Sequence, residues 1–254
     1  MRIASLNTWK CDGAYFKRIA VMQKQLHAIQ ADVICLQESF VGGGCDTAMT
    51  LANKLEMNLL HFPARHKIRV FGGASMRSSS GLSVLSRYPM TFATAHSLPS
   101  FEEDDRWLQH VTIANPHGPI NLFNTHLTHV AGEQGMAKRL AQLSLVRKII
   151  LDKPNLCSIL AGDFNLTIAH EEIRELWDLS RNIQPRTPID STLLDQAGRC
   201  IDHIFLFDTS DCLSMIDYYA ALTEPDEKHG IHASDHHAIV AELKHEPGLR
   251  TRQI

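Results

Sequence analysis

The chain has 254 residues, of which 44% are apolar and 21% charged, and its formal net charge at pH 7 is −3. These values are those of an ordinary globular protein, and the small negative charge gives no overall attraction for nucleic acid. No apolar stretch reaches the roughly 18 to 20 residues of a membrane-spanning helix, and six cysteines without a CxxC pair argue against a zinc ribbon or a disulfide framework.

The chain carries no Pro/Gly/Ser-rich linker, so we predict one domain over residues 1–254, with a loose tail of about eight residues at its end. The N-terminal segment MRIASLNTWK has neither a long apolar core nor a small-residue cleavage site. We therefore expect no secretory signal and a cytoplasmic protein. We also expect the protein to be a monomer.

The first half of the chain alternates strand and helix patterns. RIASLN predicts a strand, and the next helix is indicated by apolar residues at spacings of three and four, namely Ile19, Met22, Leu26 and Ile29. DVICLQE is uniformly apolar and predicts a central strand that ends at Gln37 and Glu38. A second helix is indicated by Ala48, Leu51, Ala52 and Leu55.

Four strands are then predicted in succession, from GLSVLS, MTFATA, LQHVTIA and INLFNTH, with turn signals between them. A long helix follows, with its apolar stripe at Met136, Leu140, Leu143, Val146 and Ile150. CSILAGDFN, CIDHIFLF and HAIVAEL predict the remaining strands. Because some strands follow one another directly, the pattern favours mixed sheets over a strictly alternating parallel sheet.

The segment from residue 57 to residue 101 contains no acidic residue but several basic ones, and the acidic run EEDD (102–105) follows directly. The basic residues are Arg65, Lys67, Arg69, Arg77 and Arg87. Such a surface could receive a phosphate, although a solvated loop is the simpler interpretation of any one of these residues and of EEDD.

Polar residues of a few chemical types stand at the ends of the predicted apolar strands. They are Asn7, Glu38, His126, Asp163, Asn165, Asp235 and His236. Strand ends in an open α/β arrangement gather along one edge of the sheet, so these side chains could converge on one cleft. Singly, most of them are explained as ordinary strand-ending or turn residues; the ordered set is not.

Amides, carboxylates and imidazoles favour metal-assisted chemistry on phosphate esters. Carboxylate and amide oxygens suit Mg²⁺, Mn²⁺ or Ca²⁺ better than zinc or copper, and such an ion polarises a phosphoryl oxygen. A histidine could accept a proton from water or hold a phosphate oxygen, with a carboxylate on its other ring nitrogen. Asp202 is the candidate for that carboxylate.

The residues also carry a family resemblance. The segments LNTW, CLQE, GLSVLSRYP, FNTHLTH, AGDFN, IDHIF and SDHHAIV, in this order, resemble the motif series of the endonuclease/exonuclease/phosphatase superfamily, the deoxyribonuclease I-like fold. This resemblance implies a four-layer α/β sandwich, with two mixed sheets packed face to face and helices outside. It also implies an Mg²⁺- or Mn²⁺-dependent phosphoesterase.

The resemblance implies roles for individual residues. Glu38 is similar to the main metal ligand, with Asn7 and Asp235 beside it. Asp163 matches the aspartate that orients or deprotonates the attacking water, and Asn165 its phosphate-binding neighbour. His236, paired with Asp202, matches the histidine that contacts the phosphate or acts as general base.

The resemblance also places His126 where it would stabilise phosphoryl oxygens. Arg106 resembles an arginine near the site of several hydrolases with this fold. His237 is interpreted as a structural residue on the far side of the strand, and Phe164 as core.

The chain departs from the DNA-repair members, since Trp9 stands where many of them have an acid. The segment THLTHVAGEQGMAKRLAQ is more similar to phosphatase, phosphodiesterase and sphingomyelinase-like relatives. We therefore predict a hydrolase of small or lipid-like phosphate esters. A DNA or RNA nuclease of the same fold remains the alternative, and a non-catalytic binding protein is a further one.

Overall fold

The computed structural model describes residues 1–102, 105–152, 157–208 and 212–246. The predicted C-terminal tail and residues 103 and 104 of the EEDD run lie outside these described ranges. In chain order the elements are β1 (Arg2–Asn7), α1 (Tyr15–Ile29), β2 (Val33–Gly42), β3 (Cys45–Asp46), α2 (Thr47–Leu55), β4 (Asn58–Phe62), β5 (Lys67–Phe71), β6 (Ala74–Ser86), β7 (Met90–Leu98), β8 (Arg106–Asn115), β9 (Gly118–His126), α3 (Gly132–Leu151), β10 (Ser158–Asp163), α4 (Glu171–Leu179), β11 (Asp202–Phe207), β12 (Leu213–Ala221) and β13 (Ala238–His245).

The strands form two mixed sheets. Six of the eight strands of the first sheet run in the order β12-β13-β1-β2-β6-β4, while β3 pairs with β2 and β5 with β6. The second sheet has the order β11-β10-β9-β8-β7. Each sheet contains one parallel pair, β1 with β2 and β9 with β10, among antiparallel neighbours. The prediction of mixed sheets is confirmed.

Alternate side chains of the central strands face different cores, because successive residues of a strand point to opposite faces. In β10, Ile159 and Ala161 pack between the two sheets, whereas Leu160 packs under α3 and α4. In β1, Ile3 joins the core between the sheets, and Leu6 packs under α1 and α2. The predicted four-layer α/β sandwich is therefore confirmed.

A buried polar network joins the two sheets next to the strand ends that carry the candidate residues. The Gln37 amide Nε2 donates to Asn124 Oδ1 at 2.8 Å, which links β2 to β9. Asn124 Nδ2 in turn donates to the carbonyl oxygens of Leu36 and Ser83, each at 3.1 Å. Hydrogen bonds of this kind have directional requirements that apolar contacts lack, so they fix the register between the sheets.

The predicted end of β2 at Gln37 and Glu38 is wrong. The strand continues to Gly42 through a bulge between Leu36 and Ser39. Glu38 lies in that bulge with a φ of 55°. A bulge inserts an extra residue and redirects a side chain, so Glu38 leaves the ladder although it is not at a strand end.

Candidate active site

Three candidate residues are neighbours at one end of the second sheet. Asp163 is the last residue of β10 and pairs with His126 of β9 on one side and with Asp202 of β11 on the other. All three side chains are buried. The sheet register therefore aligns a carboxylate and an imidazole beside a central carboxylate.

The Asp163 carboxylate is the centre of the cluster. Its Oδ2 accepts a hydrogen bond from Asn7 Nδ2 at 3.0 Å, which brings the end of β1 in the first sheet to the second sheet. The Nε2 atoms of His126 and His236 lie 3.4 and 3.9 Å from the same oxygen. Its Oδ1 accepts from the Asn165 backbone N–H at 2.9 Å, which is an Asx turn. One oxygen of Asp163 thus stabilises the turn, while the other contacts the side chains of the cluster.

The environment of Asp163 favours its neutral form. Burial, and then the charge of Asp202, raise the pKa of Asp163 to about 7. A carboxyl group with a pKa near neutral exchanges protons readily at physiological pH. Asp163 is therefore suited to take a proton from water.

His236 is oriented by Asp202. Its Nδ1 lies 2.8 Å from Asp202 Oδ2, and both side chains are buried. Although burial lowers the pKa of His236, the carboxylates of Asp202, Asp163 and Asp235 together outweigh it and raise that pKa to about 10. His236 is consequently an imidazolium at neutral pH, with Nε2 directed toward Asp163.

The turn before β13 positions Asp235 and His236. The Ser234 hydroxyl donates to the Asn7 carbonyl at 2.6 Å, and the Leu194 N–H donates to the Asp235 carbonyl at 2.9 Å. Both residues precede β13, where the backbone is still turning, so neighbouring side chains can face the same side. His237 instead places its Nδ1 3.3 Å from the Leu222 carbonyl, away from this cluster.

Glu38 lies between two cations that the sequence analysis did not assign to the site. Its Oε2 is 3.1 Å from Lys10 Nζ and its Oε1 is 3.4 Å from Arg65 Nη1. Burial raises the pKa of Glu38, but the charges of Lys10 and Arg65 outweigh it, so that pKa lies below its ordinary value. The basic segment pointed to Arg65, whereas no pattern around Lys10 distinguishes it from a surface lysine.

Arg106 and His126 are in contact. Arg106 Nη1 donates to the His126 carbonyl at 3.3 Å, and its Nη2 lies 3.0 Å from His129 Nδ1. Burial, and then the charges of Arg106 and Arg65, lower the pKa of His126 well below its ordinary value. His126 is therefore neutral and can donate one ring N–H. Asn165 lies at the rim, where its Nδ2 donates to the Leu127 carbonyl at 3.1 Å.

Arg18 of α1 holds the loop after β1 in place, a role that no sequence pattern around it predicts. The side chain is only 2% exposed. Its guanidinium donates to the carbonyl oxygens of Thr8, Trp9, Lys10, Asp12 and Ala233. Because these carbonyls belong to the segments that carry Asn7 and Asp235, Arg18 joins two parts of the cluster.

Glu38 and Asp235 offer carboxylate oxygens, which are ligands that a divalent cation prefers. Burial raises the pKa of Asp235, and the charge of Glu38 adds to this rise, although the charge of His236 opposes it. The amide oxygen of Asn7, which accepts from the Trp9 N–H at 3.0 Å, is a third oxygen of this kind. Lys10 and Arg65 form ion pairs with Glu38 and so act as its counter-ions.

A second group of ligand atoms comes from Asp163, Asp202 and His236, which lie within 4.8 Å of one another. The hydrogen bond between His236 and Asp202 uses one atom of each residue. This group is therefore better suited to moving protons than to holding an ion.

Residues 4–236 match the model of the Endonuclease/Exonuclease/phosphatase family. The chain belongs to the endonuclease/exonuclease/phosphatase family. No curated protein matches it in sequence. The predicted superfamily is thus confirmed, and family membership supports hydrolysis of phosphate esters in general.

Solved structures of several proteins have the same fold as this chain. An endonuclease/exonuclease/phosphatase from Beutenbergia cavernae is 20% identical, with a TM-score of 0.73, over 96% of this chain and 71% of that one. A humanized D. rerio TDP2 is 18% identical, with a TM-score of 0.69, over 96% and 98% of the two chains. A mannosyl-6-phosphatase from Bacteroides thetaiotaomicron is 17% identical, with a TM-score of 0.64, over 96% and 99%. At these identities the likeness establishes the fold alone.

None of the helices within the described ranges combines the length and the apolar character that a membrane span requires.

Proposed function

We propose that this member of the endonuclease/exonuclease/phosphatase family is a hydrolase of small-molecule or lipid-like phosphate esters that depends on Mg²⁺ or Mn²⁺. The observation that carries the proposal is the set of contacts at Asp163 Oδ2, which is 3.0 Å from Asn7 Nδ2 and 3.4 Å from His126 Nε2. A carboxylate with these neighbours can orient a water molecule and accept its proton. We also propose that residues 1–254 form one domain and act as a monomer.

In this proposal the protein residues divide the reaction between them. Asp163 orients the attacking water and takes its proton as the oxygen attacks phosphorus. His236, held by Asp202, directs a positively charged N–H at a phosphoryl oxygen. Neutral His126, together with Arg106, stabilises the negative charge that develops on the other oxygens. Asn165 binds the phosphate at the rim.

Glu38 and Asp235, with the Asn7 amide oxygen, would hold the divalent cation. When bound, this ion supplies Lewis-acid stabilisation of the phosphoryl oxygens. Glu38 is redirected out of β2 by the bulge, and Asp235 lies in the turn before β13. The directions of both side chains are therefore determined by the local backbone conformation, at the bulge and at the turn.

A nuclease is less well supported, because parts of the basic segment are used inside the fold. Arg69 donates to the hydroxyl oxygens of Ser78 and Ser80, at 2.8 and 2.9 Å. Arg87 Nε donates to the Ala31 carbonyl at 3.1 Å. These contacts reduce the charge available for a continuous groove along a phosphate backbone.

The test is a substrate panel with added Mg²⁺ or Mn²⁺. It contains p-nitrophenyl phosphate, bis-p-nitrophenyl phosphate, sugar and inositol phosphates, sphingomyelin, plasmid DNA and RNA. We expect hydrolysis of small or lipid-like esters, its loss with EDTA, and recovery when the metal is restored. Asp163→Asn should lower turnover by about two to four orders of magnitude, whereas Asp178→Asn, an exposed aspartate of α4, should not.

Hydrolysis that is indifferent to EDTA would contradict the metal dependence. Full activity of Asp163→Asn would contradict the role of Asp163. Cleavage of nucleic acid alone would favour the nuclease alternative.

A further inference from the structure

Side chains satisfy the outer edge of β11. This strand lies at the end of the second sheet, so its alternate N–H groups point away from β10. Three of these groups donate to side-chain oxygens: Asp202 to Thr192 Oγ1 at 3.2 Å, Ile204 to the Tyr218 hydroxyl at 3.3 Å and Leu206 to Asn182 Oδ1 at 2.9 Å. Of the three, the bond to Thr192 is the one made by the residue whose carboxylate contacts His236.

The Thr192 hydroxyl holds the start of β11. The side chain is completely buried. Its Oγ1 accepts from the N–H groups of Ile201 at 3.0 Å and Asp202 at 3.2 Å. The hydroxyl hydrogen can be donated to the Arg199 carbonyl, which lies 3.4 Å away, so both lone pairs are available to the two N–H groups. Two consecutive residues of the chain are therefore fixed by one side-chain atom.

The backbone of the same segment holds His236. The Thr192 carbonyl accepts from the His237 N–H at 2.8 Å, and the Leu194 N–H donates to the Asp235 carbonyl at 2.9 Å. These two bonds form an isolated antiparallel bridge around His236. Thr192 is thus bonded to the backbone on both sides of the contact between Asp202 and His236.

The Asp202 carboxylate depends on this backbone for its direction. Asp202 is completely buried, and its Oδ2 lies 2.8 Å from His236 Nδ1. Its Oδ1 has no hydrogen-bond partner within the described ranges of the chain. Because the carboxylate is hydrogen-bonded only to the imidazole that it orients, the position of the Asp202 backbone determines whether the two groups meet.

We propose that Thr192 is a positioning residue of the candidate site. Its hydroxyl fixes the start of β11 so that Asp202 meets His236, and it affects turnover through this pair without touching the substrate. This inference rests on the function proposed above. A displacement of about 1 Å at a catalytic group can lower a rate by about a hundredfold, so the loss of this one hydroxyl should be measurable in turnover.

The test compares Thr192→Val, Thr192→Ser and Asn182→Ala on the ester of the panel that the wild type hydrolyses fastest. Valine keeps the shape of threonine and removes the acceptor, whereas serine keeps the acceptor. Thr192→Val should lower kcat by about ten- to a hundredfold and change KM by about twofold at most. Thr192→Ser should retain most of the activity. Asn182→Ala removes the same kind of contact at the other end of β11 and should leave kcat unchanged.

Proton NMR separates positioning from a loss of stability. The His236 Nδ1–H that donates to Asp202 should give a downfield resonance in the wild type, in Thr192→Ser and in Asn182→Ala, assigned by its loss in His236→Gln. In Thr192→Val this resonance should move upfield or disappear while the protein stays folded. Urea denaturation should show comparable losses of stability in Thr192→Val and Asn182→Ala, because each variant leaves N–H groups of β11 unpaired.

An unchanged His236 resonance in Thr192→Val would overturn the inference, and so would equal losses of kcat in Thr192→Val and Asn182→Ala. If Thr192→Val does not fold, Thr192→Cys takes its place, because a thiol is a weaker acceptor than a hydroxyl. It should lower kcat and shift the resonance in the same direction by a smaller amount. Wild-type values of both in Thr192→Cys would equally refute the role.

Failure of the proposed function has a different signature. If the wild type hydrolyses no ester of the panel, the proposed function fails, but the NMR comparison still decides the positioning role. A His236 resonance that is displaced by Thr192→Val, and not by Asn182→Ala, would support it. The same resonance in both variants would refute it.

Discussion

Replacing Asp202 with asparagine removes the charge behind His236 while keeping the size of the side chain. The pKa of His236 rises from 6.5 to about 10, with Asp202 as the largest favourable cause. At about 1.4 kcal/mol for each pKa unit, this elevation corresponds to about 5 kcal/mol in favour of the charged imidazole. Asp202, Asp163 and Asp235 together produce this elevation against the opposing effect of burial, and we take about 2 to 3 kcal/mol as the order of magnitude of the Asp202 share.

The sign of the stability effect follows from the direction of this elevation. A histidine with a raised pKa in the folded state contributes stability fully below its unfolded pKa of about 6.5 and loses it as the pH rises through about 10. Asp202→Asn should therefore lower the free energy of unfolding by about 2 to 3 kcal/mol more at pH 6 than at pH 10.5. The measurement is urea denaturation at both pH values.

Two further measurements accompany the unfolding experiment. The NMR titration of the His236 ring should give a lower pKa in Asp202→Asn than in the wild type. Turnover should fall by about two to four orders of magnitude, because the imidazole loses the carboxylate that orients it and stabilises its charged form. Asp178→Asn serves as the control. An unchanged His236 pKa, or an equal loss of stability at both pH values, would refute the reasoning.

Two predictions concern the framework that holds the site. Arg18→Lys keeps the charge but loses the planar fork that reaches five carbonyl groups; it should lower the free energy of unfolding by about 3 to 5 kcal/mol. The exposed Arg174→Lys should lower it by less than about 0.5 kcal/mol. Gly162→Ala would bring a Cβ within 2.1 Å of the Thr125 carbonyl oxygen, so we expect a loss of about 3 kcal/mol or more. Gly44→Ala has a positive φ but no atom within 4 Å, and it should cost about 1 kcal/mol. Denaturant unfolding measures all four, and equal losses within either pair would contradict these assignments.

The parts of the fold that the sequence predicted are those with a strong local signal. β1, β10 and β13 are apolar runs that end in polar residues, and α3 has a continuous apolar stripe. β4, β5, α4 and β12 were not predicted, because each of them has few buried residues or only half-buried faces. Their positions are decided by the neighbours that they pair with or cover.

The same division holds within the site. Asp163, Asp202 and His236 stand in short segments that could be predicted from residue type and position alone. The bulge at Glu38 could not be predicted, because it depends on the register between β2 and β6. Lys10 and Arg65 meet Glu38 only after three distant segments come together. A contact that forms only between folded elements cannot be predicted from the sequence around any one of its residues.

The position of the site between two sheets connects its chemistry to the packing of the core. Asn7 comes from the first sheet and Asp163 from the second, and their hydrogen bond crosses the joint between them. A short distance away the Gln37–Asn124 bond crosses the same joint. Because the close-packed apolar layer between the sheets resists sliding, the distances around Asp163 are set by the whole sandwich and not by any one loop. Loops such as the one that carries Arg65 can then differ between family members and change the substrate while this central geometry stays the same.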